Sequence, residues 1–126
     1  MLSTLEYRYR GSLLILLESI RLLQQVDLGE KVAFDRLRLM TPVMKLFTAR
    51  ECMEVLSEGL ECFGGLGYME NSGIPKTFRD AQVTPIWEGT TSILSLDFIK
   101  VISKDKGSLK TIKEWFAGSK YLDKFV

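Results

Sequence analysis

The chain has 126 residues, 46% of them hydrophobic, and a net charge of +1. That suits one domain with a small core, and it excludes both a disordered chain and a generally basic nucleic-acid binder. With no histidine present, Ser-His and Cys-His nucleophile systems and most catalytic zinc sites are excluded, so acid–base work must fall to a carboxylate.

Cys52 and Cys62 stand ten apart, a spacing without metal or redox meaning, and read as buried thiols of a cytoplasmic protein. No metal site is expected. The longest apolar run, Leu13 to Leu17, is far too short to span a membrane, and Glu6, Arg8 and Arg10 interrupt any signal peptide.

The first element is a helix from residue 2 to about 26. Leu5, Tyr9, Leu13, Leu16, Ile20 and Leu23 step by three or four and draw one stripe. The run LLILL adds apolar residues off that stripe, so the helix should be buried on more than one side, by bundle neighbours or another subunit. Asp27, Leu28 and Gly29 read as its stop.

A second helix is expected from near Glu30 to about Cys62. Ala33, Leu37, Met40, Met44, Phe47 and Val55 keep the helical period, and Glu51 interrupts the stripe. Pro42 removes an amide in the interior, which predicts a kink or a restart at Thr41. Two long helices joined by a short turn open an antiparallel bundle.

Next comes FGGLGYMENSGIPKTFRDAQVTP, rich in glycine and proline and without a sustained period. It reads as a long ordered loop packed through Phe63, Tyr68, Ile74 and Phe78, and long loops inside compact domains tend to be functional. Gly64, Gly65 and Gly67 lack the strand and the Lys-Ser/Thr of a phosphate loop, and read as a helix cap and tight turn. A backbone without side chains also permits close approach of a ligand or a neighbouring subunit. Arg79 and Asp80 read as structural ties to nearby helices.

A third helix starts at Thr90 or Thr91, turns Ile93, Leu94, Phe98 and Val101 inward, and ends in SKDKGS. Ser108 is a candidate N-cap for a last helix bearing Leu109, Ile112, Trp115 and Phe116. Residues 104–126 carry +3 against −2 for the remainder. This lysine-rich end reads first as a solvated face and second as a nucleic-acid patch. The fold class is therefore all-α, an up-and-down helix bundle of two long antiparallel helices, a long Gly/Pro loop, and one or two further helices.

Glu88 is the acid of interest. Ile86 and Trp87 before it suggest partial desolvation, while the helix start beyond it offers amides that favour the charge. Such a carboxylate could take a proton from a carbon beside a carbonyl. Gly89 would leave space for a substrate, and Thr90, Thr91 and Ser92 could cap the helix or bond a carbonyl-rich ligand. These residues leave both a capping acid and a catalytic base open.

The segment FGGLGYMENSGIPKTFRDAQVTPIWEGTTSI resembles the C-terminal signature of acyl-CoA dehydrogenases: a G-G-x-G-[YF] turn, an R-D pair, then [YW]-E-G-T before a helix. The order and separations agree over about residues 1–103. TPVMKLFTARECMEVLSEGLECFGGLGYMENSGIP with tryptophan in IWEGTT is most similar to the AidB-like branch, which holds alkylation-response flavoproteins and long-chain acyl-CoA dehydrogenases. The resemblance implies an FAD enzyme that oxidises an acyl-CoA to the trans-2-enoyl thioester and passes electrons to an acceptor. By motif, Glu88 corresponds to the base removing the α-proton while the β-hydrogen leaves as hydride to the flavin. Trp87 would line the acyl pocket and Gly89 would leave room at the reacting carbons.

Thr90 and Ser92 match positions near the flavin, and Glu61 and Gly65, with Gly64, match positions near the FAD of a neighbouring subunit. Glu61 departs from the family's usual glutamine, and Ser92 stands where many members place one. The family also has an N-terminal helical domain, a middle β-domain and a further long helix. Residues 1–126 are thus expected to be a partial C-terminal helical bundle domain, an excised or truncated piece that binds FAD weakly, is inactive alone, and forms a homo-dimer or tetramer. The competing expectations are a DNA-associated AidB-like protein and a non-catalytic oligomerisation bundle.

Overall fold

The computed structural model describes residues 2–104 and 106–117. Helix α1 spans Leu2–Asp27 and α2 spans Lys31–Cys62. The turn between them is a Schellman cap. The Gly29 amide bonds the Val26 carbonyl at 2.9 Å, the Glu30 amide reaches back to Gln25 at 3.0 Å, and Gly29 takes a φ of 90°. The chain then forms α3 (Gly65–Tyr68), a 3-10 turn (Glu70–Ser72), α4 (Ile74–Ala81), α5 (Thr91–Lys104) and α6 (Lys106–Ala117). Helix α2 is the hub against which each other helix packs.

The apolar stripe of α1 meets α2 only at its edge, where Tyr9, Leu13 and Leu16 border a groove with Met44, Lys45 and Thr48. Tyr9, Leu13, Leu16, Ile20 and Leu23 are all exposed, whereas Ser19 and Leu22 are buried. The contact face runs through Leu5, Arg8, Ser12, Ile15, Ser19 and Leu22, none of which is exposed. Small hydroxyl residues let the two helices approach, and the Ser19 hydroxyl satisfies itself on the Ile15 carbonyl at 2.9 Å. Arg8 on this face reaches Glu51 at 3.3 Å, which explains the acid that interrupts the α2 stripe.

Helix α2 continues unbroken through Pro42, with no restart at Thr41. The Thr41 hydroxyl bonds the Leu37 carbonyl at 2.8 Å. Pro42 itself is buried and, with Leu46 and Phe47, borders an apolar groove shared with Leu94 and Phe98 of α5, so packing offsets the lost amide. Arg38 and Asp97 fasten the same junction through two parallel hydrogen bonds of 2.7 Å. Of the residues expected to face inward on α5, Leu94, Phe98 and Val101 do so in part, and Ile93 is exposed.

The segment expected to be a loop is largely helical. Gly73, at φ 75°, and Pro75, in the first turn of α4, set its start. Phe63 and Tyr68 are exposed rather than packed, while Ile74 and Phe78 are half-buried. Arg79 pairs with Glu70 of the 3-10 turn, and Asp80 with Lys76 one turn back, so both brace this segment internally rather than tying it to the long helices. The Arg79 hydrogen bond holds the Glu70 carboxyl below its ordinary range.

At the C-terminal end, Ser108 lies inside α6 instead of capping it. Trp115 of α6 stacks 5.5 Å from the Arg36 guanidinium. The side chains of Leu109 and Phe116, and most of the lysine-rich tail, lie outside the described residues. Among the described residues no helix is long and apolar enough to cross a membrane.

Candidate functional site

One face of α2 floors the site. Lys45, Thr48, Ala49 and Cys52 recur at helical spacing, and with Thr84, Trp87 and Glu88 they line an open cleft of about 250 Å³. The lid of this cleft is the turn between α4 and α5, where the Ile86 and Trp87 amides both bond the Val83 carbonyl at 3.0 Å.

Glu88 is the one non-glycine residue with positive φ among the described residues, at 53°, and Gly89 follows at 114°. Its side chain is exposed. The desolvation suggested by Ile86 and Trp87 is absent here, because those two side chains are themselves 61% and 56% exposed. Gly89 does not open space for a ligand either. A Cβ there would lie 3.2 Å from Leu94 Cδ2, so α5 already occupies that volume, and the backbone angle itself calls for glycine.

Lysine 45, which sequence reasoning passed over, holds this turn. The Lys45 ammonium donates to the carbonyls of Thr84 and Trp87 at 2.7 Å each and of Gly89 at 3.0 Å. A signal for it existed: a lone lysine inside the apolar run VMKLF. Arg50 was also missed; its Nε donates to the Thr91 hydroxyl at 3.0 Å, fixing the first turn of α5. Thr90 stands just before α5, its carbonyl accepting from the Leu94 amide at 2.9 Å. The side chains of Thr90 and Ser92 are exposed, with no protein hydrogen bond among the described residues.

The glycine cluster sits elsewhere. Gly64 turns the chain at φ 54° after α2, and Gly67 is buried where a Cβ would lie 2.1 Å from the Leu60 carbonyl oxygen. Both therefore serve the cap and turn. Gly65 faces open space, and Glu61 beside it is exposed. Glu61 lies nine residues beyond Cys52, roughly 14 Å along α2 at ~1.5 Å per residue. Trp87 and Glu88 thus share the cleft, Thr90 and Ser92 follow them in sequence at the start of α5 outside its lining, and Gly64, Gly65 and Glu61 lie at the far end of α2.

The model of the acyl-CoA dehydrogenase C-terminal domain matches residues 2–102. The chain belongs to the acyl-CoA dehydrogenase family. It is 52% identical over 104 residues to acyl-CoA dehydrogenase family member 11 of Caenorhabditis elegans, covering 81% of this chain and 17% of that protein. Against the putative acyl-CoA dehydrogenase AidB of Escherichia coli it is 35% identical, over 70% of this chain and 16% of the relative. The chain therefore spans about one sixth of the length of these relatives.

Two solved structures share the fold. The apo form of Bd2924 superposes with a TM-score of 0.88 at 37% identity, covering 98% of this chain and 25% of that one. The crystal structure of Caenorhabditis elegans ACDH-11 in complex with C11-CoA gives 0.79 at 45% identity, covering 91% and 20%.

Proposed function

We propose that this chain is the C-terminal helical domain of an acyl-CoA dehydrogenase and that Glu88 is its base. The observation that carries the reading is Glu88 itself, an exposed carboxylate held at φ 53° over the α2 cleft. A capping acid needs no left-handed backbone, whereas a group aimed at a reacting atom repays such strain. Support comes also from the family and from a relative whose solved structure holds C11-CoA.

In this reading the Glu88 carboxylate takes the α-proton of an acyl-CoA thioester. The thioester carbonyl spreads the developing negative charge, so one positioned carboxylate suffices without histidine. The product is the trans-2-enoyl thioester. Trp87 borders the acyl chain, and Lys45, Thr48 and Cys52 bound the cleft beneath it.

The residues fit a flavin in part. The Thr90 and Ser92 hydroxyls at the start of α5 suit its polar edge, and exposed Gly65 admits close approach from another copy of the chain. Glu61 does not suit an anionic pyrophosphate, since two negative charges would face each other. When bound, FAD supplies the hydride acceptor. The rest of the cofactor and thioester contacts fall to the family's other domains and to neighbouring copies, in a homo-dimer or tetramer.

Flavin bleaching in the full-length protein, loaded with FAD and mixed with a panel of acyl-CoAs, tests this. Bleaching by at least one saturated acyl-CoA is expected. Its absence across the panel, alongside salt-sensitive DNA binding, would reject the assignment.

A further inference from the structure

We infer that Lys45 is the positioning residue for Glu88, an inference that rests on Glu88 being the base. An ammonium has three N–H donors and no acceptor. All three are spent on Thr84, Trp87 and Gly89, so Lys45 has no donor left for a substrate or cofactor phosphate. Its part in the site is to shape it.

The placement of these bonds is specific. The Trp87 carbonyl belongs to the peptide plane entering Glu88, and the Gly89 carbonyl to the plane leaving Gly89. Between those two clamped planes lie the two left-handed residues of the turn, at φ 53° and 114°. Such a conformation persists at a non-glycine residue only where its surroundings over-determine it. No other side chain among the described residues hydrogen-bonds the backbone of residues 86–89. The third bond, to Thr84, anchors the start of the same turn. Because three carbonyls converge on one nitrogen, a planar guanidinium could not replace the tetrahedral ammonium. Lys45 in turn sits on α2, the hub of the bundle, so the carboxylate is referenced to the most buttressed element of the fold.

Two readouts test this. Hydrogen exchange on the 126-residue chain should show the Thr84, Ile86 and Trp87 amides exchanging about tenfold faster in Lys45→Met, from loss of charge-assisted bonds, with the Met69, Ser72 and Gly73 amides unchanged. Lys45→Arg keeps charge and helix propensity, guards against a variant that fails to fold, and should also quicken the turn. In the flavin-loaded full-length protein, Lys45→Met should lower kcat about tenfold or more while KM stays within about twofold, because a misplaced base costs the chemical step.

Turn exchange unchanged in both variants would overturn the inference, as would an unchanged kcat in a loosened turn. A retained activity in Glu88→Gln would instead fault the base assignment, with the exchange data still deciding whether Lys45 clamps the turn.

Discussion

A left-handed backbone at an L-residue other than glycine costs about 1–2 kcal/mol, whereas glycine adopts it freely. Glu88 is the residue that bears this cost here. Replacing it with glycine also loosens the unfolded chain, which offsets roughly 0.4–1 kcal/mol of the relief. The strain term is the larger, so Glu88→Gly should stabilise the 126-residue chain by about 0.5–1 kcal/mol in urea unfolding while removing the carboxylate. A Glu88→Gly chain less stable than the parent would mean that the turn holds no strain. The sequence marked Glu88 by its neighbours Trp87 and Gly89 and by the family motif. It did not disclose the positive φ or the Lys45 clamp, because both depend on residues about forty positions apart meeting across α2 and the turn.

Helix pairing is decided by contacts that periodicity reports only by implication. Both long helices were legible within a residue or two, since their period is sustained and Gly29 ends the first with a specific cap. The face of α1 was not, because its apolar stripe lies largely exposed at the edge of the helix pair, while serines and Arg8 meet α2. Helix α4 was missed because eight residues give too little period, although Gly73 and Pro75 bracket its start in the manner of a helix N-terminus.

Docking of α5 on α2 is shared among the Arg38–Asp97 pair, the Arg50–Thr91 bond and the apolar contacts around Pro42. The hydrogen bond from Arg38 holds the Asp97 carboxyl below its ordinary value. A depressed carboxyl pKa stabilises the fold above the unfolded value, near 3.8, and that contribution is lost as pH falls through the lower folded value. Asp97→Asn should therefore lower the melting temperature at pH 7, with a gap from wild type that narrows below about pH 4. An equal gap at pH 7 and pH 3 would assign the loss to something other than the charge.

Across the whole molecule, apolar surface outruns the core. Leu22, Ala33, Leu39 and Ala49, with Pro42 and Pro75, are the buried apolar side chains among the described residues, set against twenty-four exposed large ones. A continuous stripe on α1 is part of that excess, and such patches mark association surfaces. The 126-residue chain should sediment as a dimer or larger species at high concentration. Leu16→Glu with Ile20→Glu, both on that stripe, should shift it towards monomer without loss of helicity. A parent chain that stays monomeric throughout would contradict this.

The all-α bundle and the family were readable from the sequence because the motif carries them. The resemblance also sets Glu61 and Gly65 apart from Thr90 and Ser92, and the length of α2 is what puts distance between them.

The central claim is that Glu88 takes the α-proton, and one comparison tests it most directly. Wild-type and Glu88→Gln full-length proteins, equally loaded with FAD, are mixed with an acyl-CoA that bleaches the wild type. The amide can neither accept the proton nor carry the charge, so bleaching should slow by about 10²-fold or more while acyl-CoA binding persists. Bleaching at the wild-type rate in Glu88→Gln would contradict the account.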